Sequence, residues 1–341
     1  MDKRILWAAG GAAVLILVVV VALNMGKGKP PPAKKSADGE ATASGVIRFP
    51  SVDTPEGREE IRKMFEQLDY TRCRKYISAI SKVTAAKIPD ILVPYLMRLD
   101  AGAGFTEAYS LARLLEDAND PRVVGKIIDL GLQKKDAMSL LRTYGAAGSE
   151  IVIARATEAA KAGADLAPYE AMLTECLHKE GAAGPLRQTA ESGEIAAVAW
   201  ICGDALSRNK LPISEARVRA WLAEAEPRAV MSGIRQASVQ TSMDRDAAIL
   251  PFTTPETSIE VRRVVLEVAG PDATLSKQLI GNLIQIDDLE SFEDVCAKLV
   301  ECRRRDFAPE LQAVSDARTG SAIGRRAGNT AQQLSGSAGT R

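Results

Sequence analysis

The feature that most constrains this chain is an apolar period of 3.6 residues that restarts again and again between Pro55 and Phe307. Ala137, Leu140, Leu141 and Tyr144 fall at i, i+3, i+4 and i+7. The same spacing places Tyr169, Met172, Leu173 and Cys176 on one face, then Val218, Trp221, Leu222 and Ala225. It returns in Val261, Val264, Val265 and Val268, and in Phe292, Val295, Cys296 and Leu299. Tyr70, Cys73, Ile77 and Ile80 make a further stripe, while alternating strand-like runs are nearly absent. A helix with one apolar stripe is stable only against another element, so the body must be built of helices packed on helices. The expected class is all-α.

Start and stop signals keep these helices short, about 10–16 residues. Thr54-Pro55 and Asp120-Pro121 each set a capping oxygen before a proline at the first helical position. Ser214 opens SEARVRAWLAEA, and Asp272 opens DATLSKQLIGNLIQI. Glycines 131, 145, 163, 181 and 270 follow periodic stretches, where a left-handed C-cap is expected. Many short helices with brief links suit either a globular bundle or a stacked array. Gly145-Ala146-Ala147-Gly148 recurs 36 residues on as Gly181-Ala182-Ala183-Gly184, which favours the array. No helix pair here has enough apolar surface to fold alone, and stacking neighbours makes one continuous core. At about 36–40 residues per unit the body would hold roughly six or seven pairs. The expectation is a right-handed α-α superhelix of stacked helix pairs over residues 55–307, preceded by one transmembrane helix.

Asp120-Pro121-Arg122-Val123-Val124, continuing GKIIDLGL and then DAMSLLRTYGAAGSEIVIARA, resembles a unit of the HEAT-repeat (armadillo-like) family. PETSIEVRRVVLEVAG, residues 255–270, is a looser match through its Val-Arg-Arg core. The likeness is specific over 120–163 and extends to 55–307 by period and helix length alone. The Asp-Pro-x-Val start is not repeated, and residues 185–250 are irregular. The Trp-x-x-Leu-Gly spacing of tetratricopeptide repeats is missing. The resemblance implies a superhelix that offers a protein-binding surface.

Ahead of the body, Ile5 to Leu23 is an uncharged apolar run of 19 residues, with Asp2, Lys3 and Arg4 before it. As a helix it would extend roughly 28 Å, the thickness of a bilayer's hydrocarbon core. It is too long for a signal-peptide core, and Ala22-Leu23-Asn24-Met25 offers no small-x-small cleavage site. Residues 1–25 are therefore expected to be a single-pass anchor. Residues 26–54 hold the Pro30–Pro32 run and lysines 27, 29, 34 and 35, and read as a flexible linker. As a coil it would average about 30 Å end to end. The lysines after the run favour a cytoplasmic body, whereas the short basic tip before it resembles an export signal. The second indication is given slightly more weight, so the body is placed outside the cytoplasm. Residues 308–341 carry few large aliphatic residues and read as a disordered tail.

The chain holds 44 basic and 44 acidic residues, unevenly spread. Residues 1–52 carry seven basic against three acidic and residues 316–341 four against one, which leaves the 263 residues between at a net −7. An acidic, aromatic-poor body is a poor phosphate binder, so nucleic acid is excluded as a partner. Catalytic chemistry is equally thin. His178 is the only histidine, two residues from Cys176 and turned away from it on a helix. Cysteines 73, 176, 202, 296 and 302 lie on or beside apolar stripes with no Cys-x-x-Cys pair, as structural thiols do. Arg303-Arg304-Arg305 reads as a solvated helix end. No phosphate-cradling glycine loop occurs. No catalytic, cofactor-binding or metal residue is assigned, no cofactor is expected, and no small-molecule substrate is evident. The expected function is a non-enzymatic, membrane-anchored scaffold or adaptor for an unidentified protein partner. The alternatives are a HEAT-like enzyme, of DNA-repair or bilin-lyase type, and a self-assembling envelope component.

Overall fold

Helix starts are set by prolines and capping oxygens. In the computed structural model, which describes residues 49–100, 104–118, 120–269 and 276–336, Thr54 accepts from the Gly57 amide at 3.1 Å. Asp120 does so from Arg122 at 2.9 Å and Ser214 from Arg217 at 3.3 Å. Each oxygen satisfies an amide that the first turn leaves without a partner. Ser276 caps the helix that begins at Lys277; Asp272 and Gly270 lie outside the described residues. Gly145, Gly163 and Gly181 adopt positive φ, but Gly131 is inside a helix and packs on Met138 and Met172.

The described residues form helices and turns with no strand. In chain order the principal helices are α1 (Pro55–Glu66), α2 (Tyr70–Ala79), α3 (Pro89–Arg98), α4 (Phe105–Leu114), α5 (Pro121–Gln133) and α6 (Gly145–Lys161). They continue with α7 (Ala167–Cys176), α8 (Ala183–Ser192), α9 (Ala196–Arg208), α10 (Glu215–Leu222), α11 (Pro227–Ala237) and α12 (Arg245–Ile249). The last are α13 (Ile259–Val268), α14 (Lys277–Gln285), α15 (Leu289–Glu301), α16 (Ala308–Ala317) and α17 (Ala322–Gly336).

Packing sorts these helices by parity. Each odd-numbered helix touches the next odd one, from α1 through α17, so they form one column. Even-numbered helices pack beside it: α8 on α9, α10 on α11, α14 on α15 and α16 on α17. Helices of the odd column begin at residues 55, 89, 121, 167, 196, 227, 259, 289 and 322. The step is thus close to 31 residues, shorter than the 36–40 read from the sequence, and the pairs are correspondingly more numerous. The one long step, from 121 to 167, contains an added 3₁₀ segment, Lys135–Thr143, ahead of the 17-residue α6. Ala137, Leu140, Leu141 and Tyr144 are buried as expected, but they sit on and just after that 3₁₀ segment rather than on an α-helix.

The core is aliphatic and runs the length of the column. Met172, Leu173, Cys176, Val264, Val265, Phe292, Val295, Cys296 and Leu299 are all buried. Close approach needs small residues at the joints. A Cβ at Gly203 of α9 would lie 2.6 Å from the ring of Trp221 in α10, the largest fully buried side chain. Gln236 of α11 ties the same joint, donating to the Gly203 carbonyl at 2.6 Å and accepting from the Ile213 amide at 3.1 Å. Two expected stripe members are exposed, and Ile80, Leu222 and Val268 are only half-buried. Tyr70 is 53% exposed at the start of α2, and Ala225 lies exposed beyond the end of α10.

Residues 308–336 correct the expectation of a disordered tail. They form α16 and α17, and bury Leu311, Val314, Ile323, Ala327, Ala331 and Leu334. Few large side chains suffice because alanine and glycine let α17 lie close against α15 and α16. The helical body therefore runs past 307 to Gly336. The proposed anchor, residues 5–23, and the linker up to residue 48 lie outside the described residues, and no helix among the described residues is long and apolar enough to cross a membrane.

Candidate functional site

The residues with most chemistry in the sequence are dispersed. His178 is exposed beyond the end of α7, its Nδ1 3.1 Å from the Glu175 carbonyl oxygen. Cys73, Cys176, Cys202 and Cys296 are buried, Cys302 is half-buried, and none of the five forms a disulfide. Burial pushes the Cys73 thiol up to about 11 and those of Cys176 and Cys202 up to about 12, the opposite of what a nucleophilic thiolate needs. Among the described residues no His, Cys, Asp and Glu side chains gather into a group able to hold a metal ion. The arginine triplet is not a uniformly solvated cap. Arg303 is exposed with a left-handed φ of 52°, whereas Arg304 is buried. Arg304 grips Asp306 with Nε and Nη2, each at 2.7 Å, and lies over the Phe307 ring at 4.9 Å.

Two groupings that the motif search missed stand out. The first is a ladder of ion pairs across the odd column. Asp204 of α9 has no exposed surface, and its Oδ2 meets Arg228 Nη2 at 2.7 Å and Arg235 Nη1 at 3.0 Å, both from α11. Glu170 of α7 receives Arg228 at 3.1 Å. Arg208 Nη2 lies 2.6 Å from its Oε1 without hydrogen-bond alignment, so that contact is Coulombic. Arg235 reaches onward to Glu267 of α13 at 3.1 Å. Burial works against the charge of Arg235, but Asp204 and Glu267 outweigh it and hold the guanidinium above its ordinary range. Arg262 and Arg263 of α13 repeat the device, to Asp288 at 3.2 Å and to Glu290 and Asp294 at 2.5 and 2.7 Å. The sequence signal was present: Asp204 is a lone charge within AAVAWICGDALS. Asp204, Glu170, Arg235 and Arg262 are enclosed in the helix contacts while Arg208, Glu267, Arg263 and Glu290 reach solvent, and together these charges tie neighbouring pairs to one another.

The second grouping opens to solvent. A cleft of about 400 Å³ lies between α2 and α4, with Ile77 and Glu107 in its wall and Arg74 at its edge. The Glu107 side chain is only 4% exposed, and its Oε1 accepts the Tyr95 hydroxyl at 2.6 Å. Its Oε2 faces Arg74 Nη2 at 3.5 Å, too long for a good hydrogen bond. Beneath the cleft Tyr95 packs edge-on against Phe65, ring centroids 4.8 Å apart, with Tyr76 on Phe65 at 5.8 Å. Burial and the adjoining Glu107 push the Tyr95 hydroxyl well above its usual range, so it stays a donor. A wider depression of about 660 Å³ lies beside Asp53, Arg58 and Lys87, but its charges already engage one another. Lys87 pairs with Asp53 at 2.7 Å, and Arg58 and Arg62 share Asp90, each at 3.1 Å.

With this geometry in hand, comparison with known proteins returned no match: no family model, no curated protein and no solved structure is similar to the chain.

Proposed function

We propose that the chain is a membrane-anchored helical-repeat scaffold that binds a protein partner. In this reading residues 5–23 span the membrane once, residues 26–48 form the leash, and the helices are a right-handed α-α superhelix of HEAT type held outside the cytoplasm. The observation that carries it is the odd column itself, nine helices among the described residues at a step near 31 residues with one longer step, tied by ion pairs between neighbouring pairs. Repetition of this kind yields extended, solvent-facing surface in proportion to length, which is what recognition of a protein needs. The α5–α6 unit, opening on Asp120-Pro121-Arg122-Val123, supports the HEAT comparison.

The ends favour an adaptor over a subunit that stacks end to end. α1 turns Glu59, Glu60, Arg62, Lys63 and Glu66 to solvent, and α17 turns Arg325, Arg326, Asn329, Gln332 and Gln333. Polar terminal helices close a repeat array instead of extending it.

The test is site-specific photocrosslinking in intact cells, with the reactive group placed in turn at exposed positions of every helix in both columns. One defined adduct, confined to a contiguous face and lost when residues 1–25 are deleted, is expected. Adducts scattered over all faces, or none at any position, would remove the scaffold reading. Labelling of a cysteine introduced at Ser36 by a membrane-impermeant maleimide, compared between spheroplasts and lysed cells, decides the side of the membrane.

A further inference from the structure

We propose that the cleft between α2 and α4 is a binding site for an alkyl guanidinium or ammonium cation, received by the Glu107 carboxylate. The site is separate from the scaffold reading and stands whether or not the body's partner is a protein.

The argument begins with how differently the chain treats its buried carboxylates. Asp204 has two arginines within 3.0 Å, and Glu170 has arginines at 2.6 and 3.1 Å. Asp204 is sealed between helices, and Glu170 is covered by its two arginines. Glu107 is as deeply set, yet among the described residues its only ion pair is Arg74 at 3.5 Å, from a side chain 72% exposed. Tyr95 supplies one hydrogen bond to Oε1. A buried carboxylate is costly unless paired and fully hydrogen-bonded, so Oε2 has the capacity, and the free-energy incentive, to take a better donor. It borders the cleft, so a donor can reach it from solvent.

The rest of the lining selects the donor. Ser78 spends its hydroxyl proton on the Arg74 carbonyl at 2.7 Å, and Ser110 spends its own on the Thr106 carbonyl at 2.8 Å. Both residues line the cleft with hydroxyl oxygens left to accept, and Thr106 adds a third hydroxyl to the lining. Acceptors beside a carboxylate suit a group that only donates, which is a guanidinium or an ammonium. Ile77, 4% exposed, gives the alkyl stem of such a ligand an apolar surface. The volume, about 400 Å³, lies within the range of small-ligand pockets. Arg74 then acts as a loose internal stand-in: the chain's own guanidinium hovers where the ligand's belongs, and a ligand must displace it.

That displacement gives the test a sign. Titration calorimetry on the full chain would use two probes: agmatine, a free alkyl guanidinium, and the blocked peptide acetyl-Gly-Arg-Gly-amide. Saturable binding of at least one probe is expected. Loss of a charge-assisted hydrogen bond in Glu107→Gln should weaken it roughly tenfold or more. Arg74→Ala, at an exposed position that cannot disturb folding much, should tighten binding by removing the competitor. Tighter binding of agmatine points to a free amine as the natural ligand, and tighter binding of the peptide to an arginine or lysine of a partner. Absence of saturable binding to the wild-type chain overturns the proposal. So does binding that Arg74→Ala weakens or leaves unchanged, which would mean that Arg74 does not occupy the ligand's place. Should Glu107→Gln alter the thermal transition, the direction of the Arg74→Ala change still decides.

Discussion

At the scale of single residues, Asp204 is the clearest case of a side chain whose meaning depends on its neighbours. It has no exposed surface and holds Arg228 and Arg235 at the junction of α9 and α11. Removing one partner of a buried ion group leaves the others desolvated without compensation, so Asp204→Ala should cost about 3–5 kcal/mol in urea denaturation. A loss under about 1 kcal/mol, the range of exposed pairs, would mean that the ladder contributes little. Gly203, its neighbour, carries a steric constraint instead. An added methyl would meet the rigid indole edge of Trp221 at 2.6 Å. Overpacking of this kind costs about 1–3 kcal/mol, against a gain of at most about 1 kcal/mol in helix propensity. Gly203→Ala should therefore lower the denaturation midpoint, and adding Trp221→Phe should recover part of the loss. If the double variant is no better than the two losses summed, the clash is not the cause. Neither role could be read from the sequence with assurance, because each depends on a side chain from a different helix. The isolated charge of Asp204 in an apolar run was the visible clue.

At the scale of elements, local signals were the legible part. The caps at Thr54, Asp120 and Ser214 and the left-handed turns at Gly145, Gly163 and Gly181 follow from short-range chemistry that a sequence displays directly. The repeat length was misjudged for a physical reason. The Gly-Ala-Ala-Gly match runs from the start of α6 to the start of α8, so it is measured across the 17-residue α6 of the one irregular unit. The tail was misjudged because count of large aliphatics is a poor guide where alanine and glycine permit close packing. Residues α16 and α17 contribute are as integral as any other pair: Thr330 and Arg326 of α17 lie against Cys296 of α15. Burial raises that thiol, with the neighbouring Thr330 hydrogen bond acting in the opposite sense. Ending the chain at residue 307 should uncover the α15 face formed by Phe292, Val295, Cys296 and Leu299. Alkylation by iodoacetamide, mapped by mass spectrometry, should then reach Cys296 at pH 8, while Cys176 and Cys202 stay protected until the chain unfolds. Equal protection of Cys296 in the full and shortened chains would show that α17 is dispensable to that face.

At the scale of the whole molecule, charge is arranged so that acid undoes it. Arg304 holds the Asp306 carboxyl down to about 2, the Arg122 side chain lowers that of Asp120, and Ser291, whose amide donates to it at 3.0 Å, lowers that of Asp288. These carboxylates belong to the start of α5, the start of α15 and the approach to α16, so they sample the array at well-separated places. Their folded values lie below the unfolded value near 3.8. A group of that kind binds protons less readily when folded, so its stabilising contribution is complete above the unfolded value and is lost as pH falls through the folded one. The urea midpoint should therefore be nearly flat from neutral pH down to about pH 5 and then decline steeply, with the last of the loss continuing toward pH 2 as Asp306 protonates. Circular dichroism at 222 nm across that series would follow it. The Arg304→Gln variant supplies the control at molecular scale. It frees Asp306 to titrate near its unfolded value, so its share of the decline, the part nearest pH 2, should largely disappear while the portion due to Asp120 and Asp288 keeps its place. A decline that begins well above pH 5, or one that Arg304→Gln leaves unmoved, would mean that groups other than these caps and pairs govern how the column answers to acid.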